Sequence, residues 1–113
     1  MIADNPNPRD ALADRLRGVV PTYGTVREVR MFGGLSFLVD ERLAVAAGRD
    51  GDLLVRTDPA EYDALLERGG EPAFMGTDRP MGTGWMSVPA ARIQDEGELA
   101  YWVKVGVGSR NGP

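Results

Sequence analysis

Between Thr25 and Val55 the chain breaks into four short apolar runs separated by turn-forming residues, and this spacing restricts the fold more than any other feature. Thr25 to Val29 alternates polar and apolar residues, as a half-buried strand does. Leu35-Ser36-Phe37-Leu38-Val39, Leu43-Ala44-Val45-Ala46-Ala47 and Leu53-Leu54-Val55 supply three more strands. Asp40-Glu41 forms a tight turn, and Gly48 to Gly51 another. Short strands on short connections predict an antiparallel meander. Ahead of the second strand, the consecutive glycines Gly33-Gly34 predict a bulge or turn that needs positive φ.

Helical signals flank the meander. Asn7 is an N-cap residue, Pro8 suits the first helical position, and Asp10 belongs in an acid-tolerant first turn. Leu12, Leu16, Val19 and Val20 then recur at helical spacing, with Arg9, Asp14, Arg15 and Arg17 facing water, until Pro21 and Gly24 end the helix. Asp58-Pro59-Ala60-Glu61 reads as a second start, with Glu61 as the acid of a capping box. Tyr62, Leu65 and Leu66 share one face, and Gly69-Gly70 stops that helix.

Glu71 to Gly84 reads as a Gly- and Pro-rich loop with room for one short strand, anchored by Phe74 and Met81. Trp85 to Val88 reads as a closing strand. Asp95 caps a last helix with Leu99, Trp102, Val103 and Gly106 on its buried face, and both Trp85 and Trp102 are assigned to the core. The order α-β-β-β-β-α-β-α places the chain in the α+β class, as two layers with an antiparallel β-meander sheet and three helices. One domain is expected over residues 9–106, between a flexible leader (1–8) and a flexible tail (107–113).

The chain of 113 residues contains neither Cys nor His, which removes disulfides, thiolate nucleophiles, Cys/His metal sites and His-based acid–base catalysis. Only carboxylates, Arg, the single Lys104, Tyr, Ser and Thr remain for chemistry, so composition argues against an enzyme. Seventeen acids against thirteen bases give a net charge of -4, and direct nucleic-acid binding by the chain alone is not expected. There is no signal peptide and no long apolar stretch, so a cytoplasmic protein with no membrane partner is expected. Asp50-Gly51-Asp52 lacks the further ligands of a calcium loop. Gly82-Thr83-Gly84 lacks the strand–loop–helix context of a phosphate loop. No metal or cofactor is expected. Arg27, Arg30, Arg42, Arg49 and Arg56 read as a solvated sheet rim of mixed charge.

The run Arg30-Met31-Phe32-Gly33-Gly34-Leu35-Ser36-Phe37 resembles the signature of the TfoX/Sxy family N-terminal domain. The resemblance extends through Leu53-Leu54-Val55-Arg56, Asp58-Pro59, Arg79-Pro80-Met81, Gly84-Trp85, Val88-Pro89 and the Leu99 to Val103 helix. Glu41 departs from the glycine often found in that hairpin turn. The resemblance implies a fold similar to secretion chaperones, a homodimer, and a link to competence regulation and transcription with a protein partner. It brings no catalytic residues. The chain ends at Pro113 without the C-terminal domain of the full-length relatives, which counts against transcriptional co-activation by this chain.

The expected function is therefore a non-enzymatic regulatory or protein-interaction module with an unidentified protein partner. Its binding-surface candidates are Arg30, Met31, Phe32, Gly33, Gly34, Arg79 and Met81. The alternatives are a small anionic-ligand-binding domain using the Gly76 to Gly84 loop with nearby Arg residues, and an enzyme working through carboxylate and Arg chemistry.

Overall fold

The computed structural model describes residues 7–31, 34–75 and 79–109. The first helix starts where its cap residues place it. The Asn7 side chain accepts a hydrogen bond from the Asp10 N–H at 2.8 Å, and α1 runs Pro8–Val19 before a 3-10 turn over Val20–Tyr23. The meander follows as β1 (Val26–Met31), β2 (Gly34–Val39), β3 (Arg42–Ala47) and β4 (Leu53–Arg56), each antiparallel to its neighbour. Next come α2 (Tyr62–Arg68), β5 (Glu71–Pro72), β6 (Phe74–Met75), β7 (Arg79–Pro80), β8 (Trp85–Val88) and α3 (Glu96–Ser109).

The main sheet has the order β1-β2-β3-β4-β8-β5, and β6 pairs with β7 as a separate ribbon. This is the expected α+β architecture, with more strand in residues 71–80 than the sequence indicates. The extra strands are two residues each and hold Pro72 and Pro80, so no periodicity announces them. At the other end, α3 continues to Ser109 with Val107 buried, past the boundary at 106.

All three helices share one core with a single face of the sheet. Leu12, Ala13 and Leu16 of α1, Leu65 of α2, and Leu99, Trp102 and Val103 of α3 pack with Phe37, Val39, Val45, Ala47, Leu53, Val55, Met86 and Val88. Apolar burial of this kind contributes roughly 25 cal/mol per Å2. Asp95 caps α3, accepting from the Glu98 N–H at 2.9 Å. At α2 the Asp58 carboxylate accepts from Ala60 N–H at 3.0 Å and its carbonyl accepts from Glu61 N–H at 2.8 Å. These bonds close a 3-10 turn over Pro59–Glu61, in place of a capping box through the Glu61 side chain.

Two close approaches fix how the layers meet. Phe37 faces Val45 while Leu38 faces Leu43, so Ala44 is an extra residue that bulges β3 toward α3. There α3 carries Gly106, where a Cβ would stand 2.5 Å from the Ala44 carbonyl oxygen. Gly34 departs from the positive-φ expectation. It is a β2 residue opposite Met31, outside the left-handed region, and a Cβ there would lie 2.6 Å from the Ala47 carbonyl oxygen. Close backbone packing, not turn geometry, requires this glycine. Gly33, the other half of that expectation, lies outside the described residues. Among the described non-glycine residues, positive φ occurs at Asp40 (51°) and Glu41 (67°) in the β2–β3 turn.

Arg15 also differs from its expected solvent-facing role. Its guanidinium donates to the Ile93 carbonyl at 2.7 Å and ties α1 to the segment before α3.

Candidate interaction surface

Residues opposite one another across a sheet point to the same face. One row, Glu28, Phe37, Val45, Val55 and Met86, lies on the helix side. The adjacent row, Val29, Ser36, Ala46, Leu54 and Ser87, therefore faces away from the helices. Arg27, Leu38 and Leu43 continue that outer face on one side, and Arg56 and Trp85 on the other. Ser36, Leu38 and Ala46 are buried among their neighbours, while Val29, Met31, Leu43, Leu54 and Trp85 are half-buried.

This outer face is largely apolar yet separate from the helix-side core. Trp85 belongs to it, which corrects its assignment to the core: its ring carries the Arg56 guanidinium 5.8 Å from the centroid. Val26 and Val29 are three residues apart and so divide between the faces, with Val26 packing on the core. The alternation in β1 thus feeds both faces. Arg27, on the outer face, pairs with Glu41 at 2.8 Å.

The sequence candidates do not form one cluster. Arg30 and Met31 end β1, and alternation sends Arg30 to the helix side and Met31 to the outer face. Gly34 sits across from Met31. Phe32 and Gly33 lie outside the described residues. Arg79 is exposed in β7, and Met81 follows with its N–H donating to the Ala73 carbonyl at 2.9 Å. That ribbon leaves the sheet between β5 and β8, at the edge opposite β1. Four strand spacings separate β1 from β8, about 19 Å at ~4.8 Å each. Phe74, expected as an anchor, is 51% exposed on the same ribbon.

Strand parity and strand order carry the surface that sequence reasoning missed. Parity was readable in Leu54, Arg56, Trp85 and Ser87; the side facing the helices was not.

Arg27 and Glu28, on the sheet's first edge, are held by ion pairs. Arg17 hydrogen-bonds Glu28 through two bonds of 2.8 Å, which hold the Glu28 carboxyl below its ordinary value and raise the Arg17 guanidinium. Hydrogen bonding to Glu41 likewise raises Arg27. At the end of α3, two adjoining depressions of about 400 and 430 Å3 share Asp58 and Ser109. They set Lys104 and Arg56 beside Asp58 and Glu61, so neither collects charge of one sign. Behind them, Thr57 fastens the Gly82-Thr83-Gly84 turn: its hydroxyl donates to the Thr83 carbonyl at 2.7 Å and its N–H to the Gly84 carbonyl at 2.9 Å.

The turn holding Asp50-Gly51-Asp52 is closed by Gly48 N–H donating to the Asp52 carbonyl at 2.8 Å and Gly51 N–H donating to the Gly48 carbonyl at 3.0 Å. Gly51 has φ 86°, and the Asp52 carboxylate accepts from Ala90 N–H at 3.3 Å. Among the described residues, no group of three or more acidic side chains is placed to hold a metal ion. No helix among them is long and apolar enough to cross a membrane.

A two-layer α+β domain with its helices on one face and an apolar, arginine-flanked sheet face on the other is the class this architecture defines. Within it, a family model for the TfoX N-terminal domain matches residues 19–109, and the chain belongs to that family. A search of curated proteins finds no match.

Proposed function

We propose that this chain is a non-enzymatic regulatory module that acts by binding a protein through the outer face of its sheet. The observation that carries this reading is that Val29, Met31, Leu43, Leu54 and Trp85 share the face opposite the helices, flanked by Arg27 and Arg56. Half-buried apolar side chains interspersed with Arg and an aromatic ring match the composition of protein interfaces. Membership of the TfoX N-terminal domain family supports a regulatory role. In this proposal the chain acts in the cytoplasm, in competence-linked transcription control. With a net charge of -4, the chain would reach a promoter through a protein partner and not through its own phosphate contacts.

The test is a paired capture. Wild-type chain and Leu54→Glu are immobilised and exposed to the same lysate, after matched thermal unfolding shows that both are folded. Leu54 lies outside the helix-side core, so the variant is expected to keep its midpoint while losing the specific partner. Equal capture by both proteins would refute the sheet face as the binding surface.

A further inference from the structure

Four charged side chains stand around the trough at the end of α3 without pairing with one another. Its two depressions, of about 400 and 430 Å3, meet at Asp58 and Ser109. Glu61 and Lys104 line one, and Arg56 lines the other. Among the described residues, none of Arg56, Asp58, Glu61 and Lys104 enters an ion pair, although two are basic and two acidic. From this charge pattern we infer that the trough holds an extended peptide segment of a partner protein, in which a basic residue stands between two acidic ones in the spacing acid-x-base-x-acid. The inference goes beyond the sheet-face reading and rests on a different surface, with Arg56 at the border of the two.

The order of charge along the trough sets the order in the ligand. Lys104 and Glu61 belong to the first depression alone, Asp58 to both, and Arg56 to the second alone. Asp58 thus marks the junction, with a cation on either side. A segment with its base over Asp58 and an acid toward each cation matches all three, and Glu61 supplies a second carboxylate for the base. The first depression follows α3 from Tyr101 to Ser109, about 12 Å of helix. In an extended chain, residues two apart share a face, so acid-x-base-x-acid aligns its three charges over about 13 Å. The two lengths agree.

Each group keeps capacity for the ligand. Asp58 uses one carboxylate oxygen for the Ala60 N–H at 3.0 Å and leaves the other for a guanidinium or ammonium. Glu61 and Lys104 are exposed. Stacking over Trp85 uses the face of the Arg56 guanidinium and leaves its N–H donors. Leu65, Tyr101 and Val105 offer an apolar wall to the aliphatic stems of the ligand's charged residues. A long trough of two joined depressions suits a segment of chain better than a compact metabolite, which needs a site enclosing most of its surface.

The probe is the acetylated and amidated peptide Glu-Ala-Arg-Ala-Glu, titrated into the isotope-labelled full chain and followed by amide chemical shifts, which read weak binding. Saturable shifts are expected at Ala60, Lys104 and Ser109. The charge-reversed peptide Arg-Ala-Glu-Ala-Arg should bind at least about tenfold more weakly, a comparison that needs no variant. Lys104→Glu changes an exposed helix position, and should keep the thermal midpoint while weakening the first peptide about fivefold. Of the two peptides with a single terminal Glu changed to Lys, one should restore binding to Lys104→Glu and so report the direction of the segment.

No saturable shift up to the solubility of the peptide overturns the inference, and so does equal affinity for the two charge patterns. Leu54→Glu is expected to bind the peptide as wild type does. Loss of binding in that variant, with Lys104→Glu unaffected, would place the peptide on the sheet face and overturn the trough. A chain that ignores the peptide yet captures a partner through Leu54 would sink this inference and leave the sheet-face reading standing. Peptide binding that depends on Lys104, with equal partner capture by Leu54→Glu, would uphold the trough and sink the sheet-face reading.

Discussion

Asp40 holds Thr25 from two sides: its carboxylate accepts the Thr25 N–H at 3.0 Å, and its own N–H donates to the Thr25 carbonyl at 2.8 Å. The contact closes the far end of the β1–β2 pair from a residue already in the left-handed region at φ 51°. Asp tolerates that region better than most residues, because its short side chain can hydrogen-bond locally. Asp40→Ala loses both the acceptor and that tolerance, and should destabilise the chain by about 1–2 kcal/mol in urea unfolding. An unchanged midpoint would show that the turn holds without the carboxylate.

Gly34→Ala brings a Cβ to 2.6 Å from the Ala47 carbonyl oxygen, where backbone cannot swing aside. The expected cost is about 1–3 kcal/mol of overpacking. Gly82→Ala is the informative contrast. That position has φ 82° but open space, so its cost comes from backbone strain alone. Equal stability of Gly34→Ala and wild type would rule out close packing as the reason for glycine.

Trp102 is fully buried, and its indole N–H donates to Glu98 Oε1 at 3.2 Å. Trp102→Ala should cost about 3–5 kcal/mol. Trp102→Phe keeps much of the ring, leaves Glu98 without that donor, and should fall between the two in chemical denaturation. A Phe variant as damaging as the Ala one would mean that the hydrogen bond outweighs the packing.

Much of this architecture is local and therefore readable. Asn7-Pro8 and Asp95 mark helix starts through side-chain acceptors within three residues, and the Asp40-Glu41 turn joins adjacent strands. The interaction surface is not local. Trp85 shares the outer face with Leu54 because β8 pairs with β4 across more than twenty residues of intervening chain, and periodicity does not reveal strand order. Alternation also leaves the identity of the inner face open, so Trp85 and Trp102 look alike in sequence and differ in structure. The adjacency of Arg30 and Met31 already implied opposite faces. Their distance from Arg79 and Met81 required the sheet order.

Glu28 gives the chain a specific acid response. Hydrogen bonding from Arg17 lowers its carboxyl below 4.5, with Coulombic attraction to Arg17 assisting and desolvation opposing. A carboxylate with a depressed folded-state value contributes stability above its unfolded value, and that contribution is lost as pH falls through the folded value. Thermal midpoints of wild type should therefore fall more steeply below pH about 4.5 than those of Glu28→Gln. Parallel curves for the two proteins would count against the Arg17–Glu28 linkage.

Gly106 rests on the Ala44 carbonyl with no side chain between helix and strand. α3 also meets the sheet through side chains whose size can vary, such as Leu99 and Val103. The bulged residue and the glycine thus act as a fulcrum. When volume changes elsewhere under α3, the helix adjusts by tilting about this point, not by rising from the sheet. Related sequences would then differ in the angle of their last helix while keeping its height at position 106.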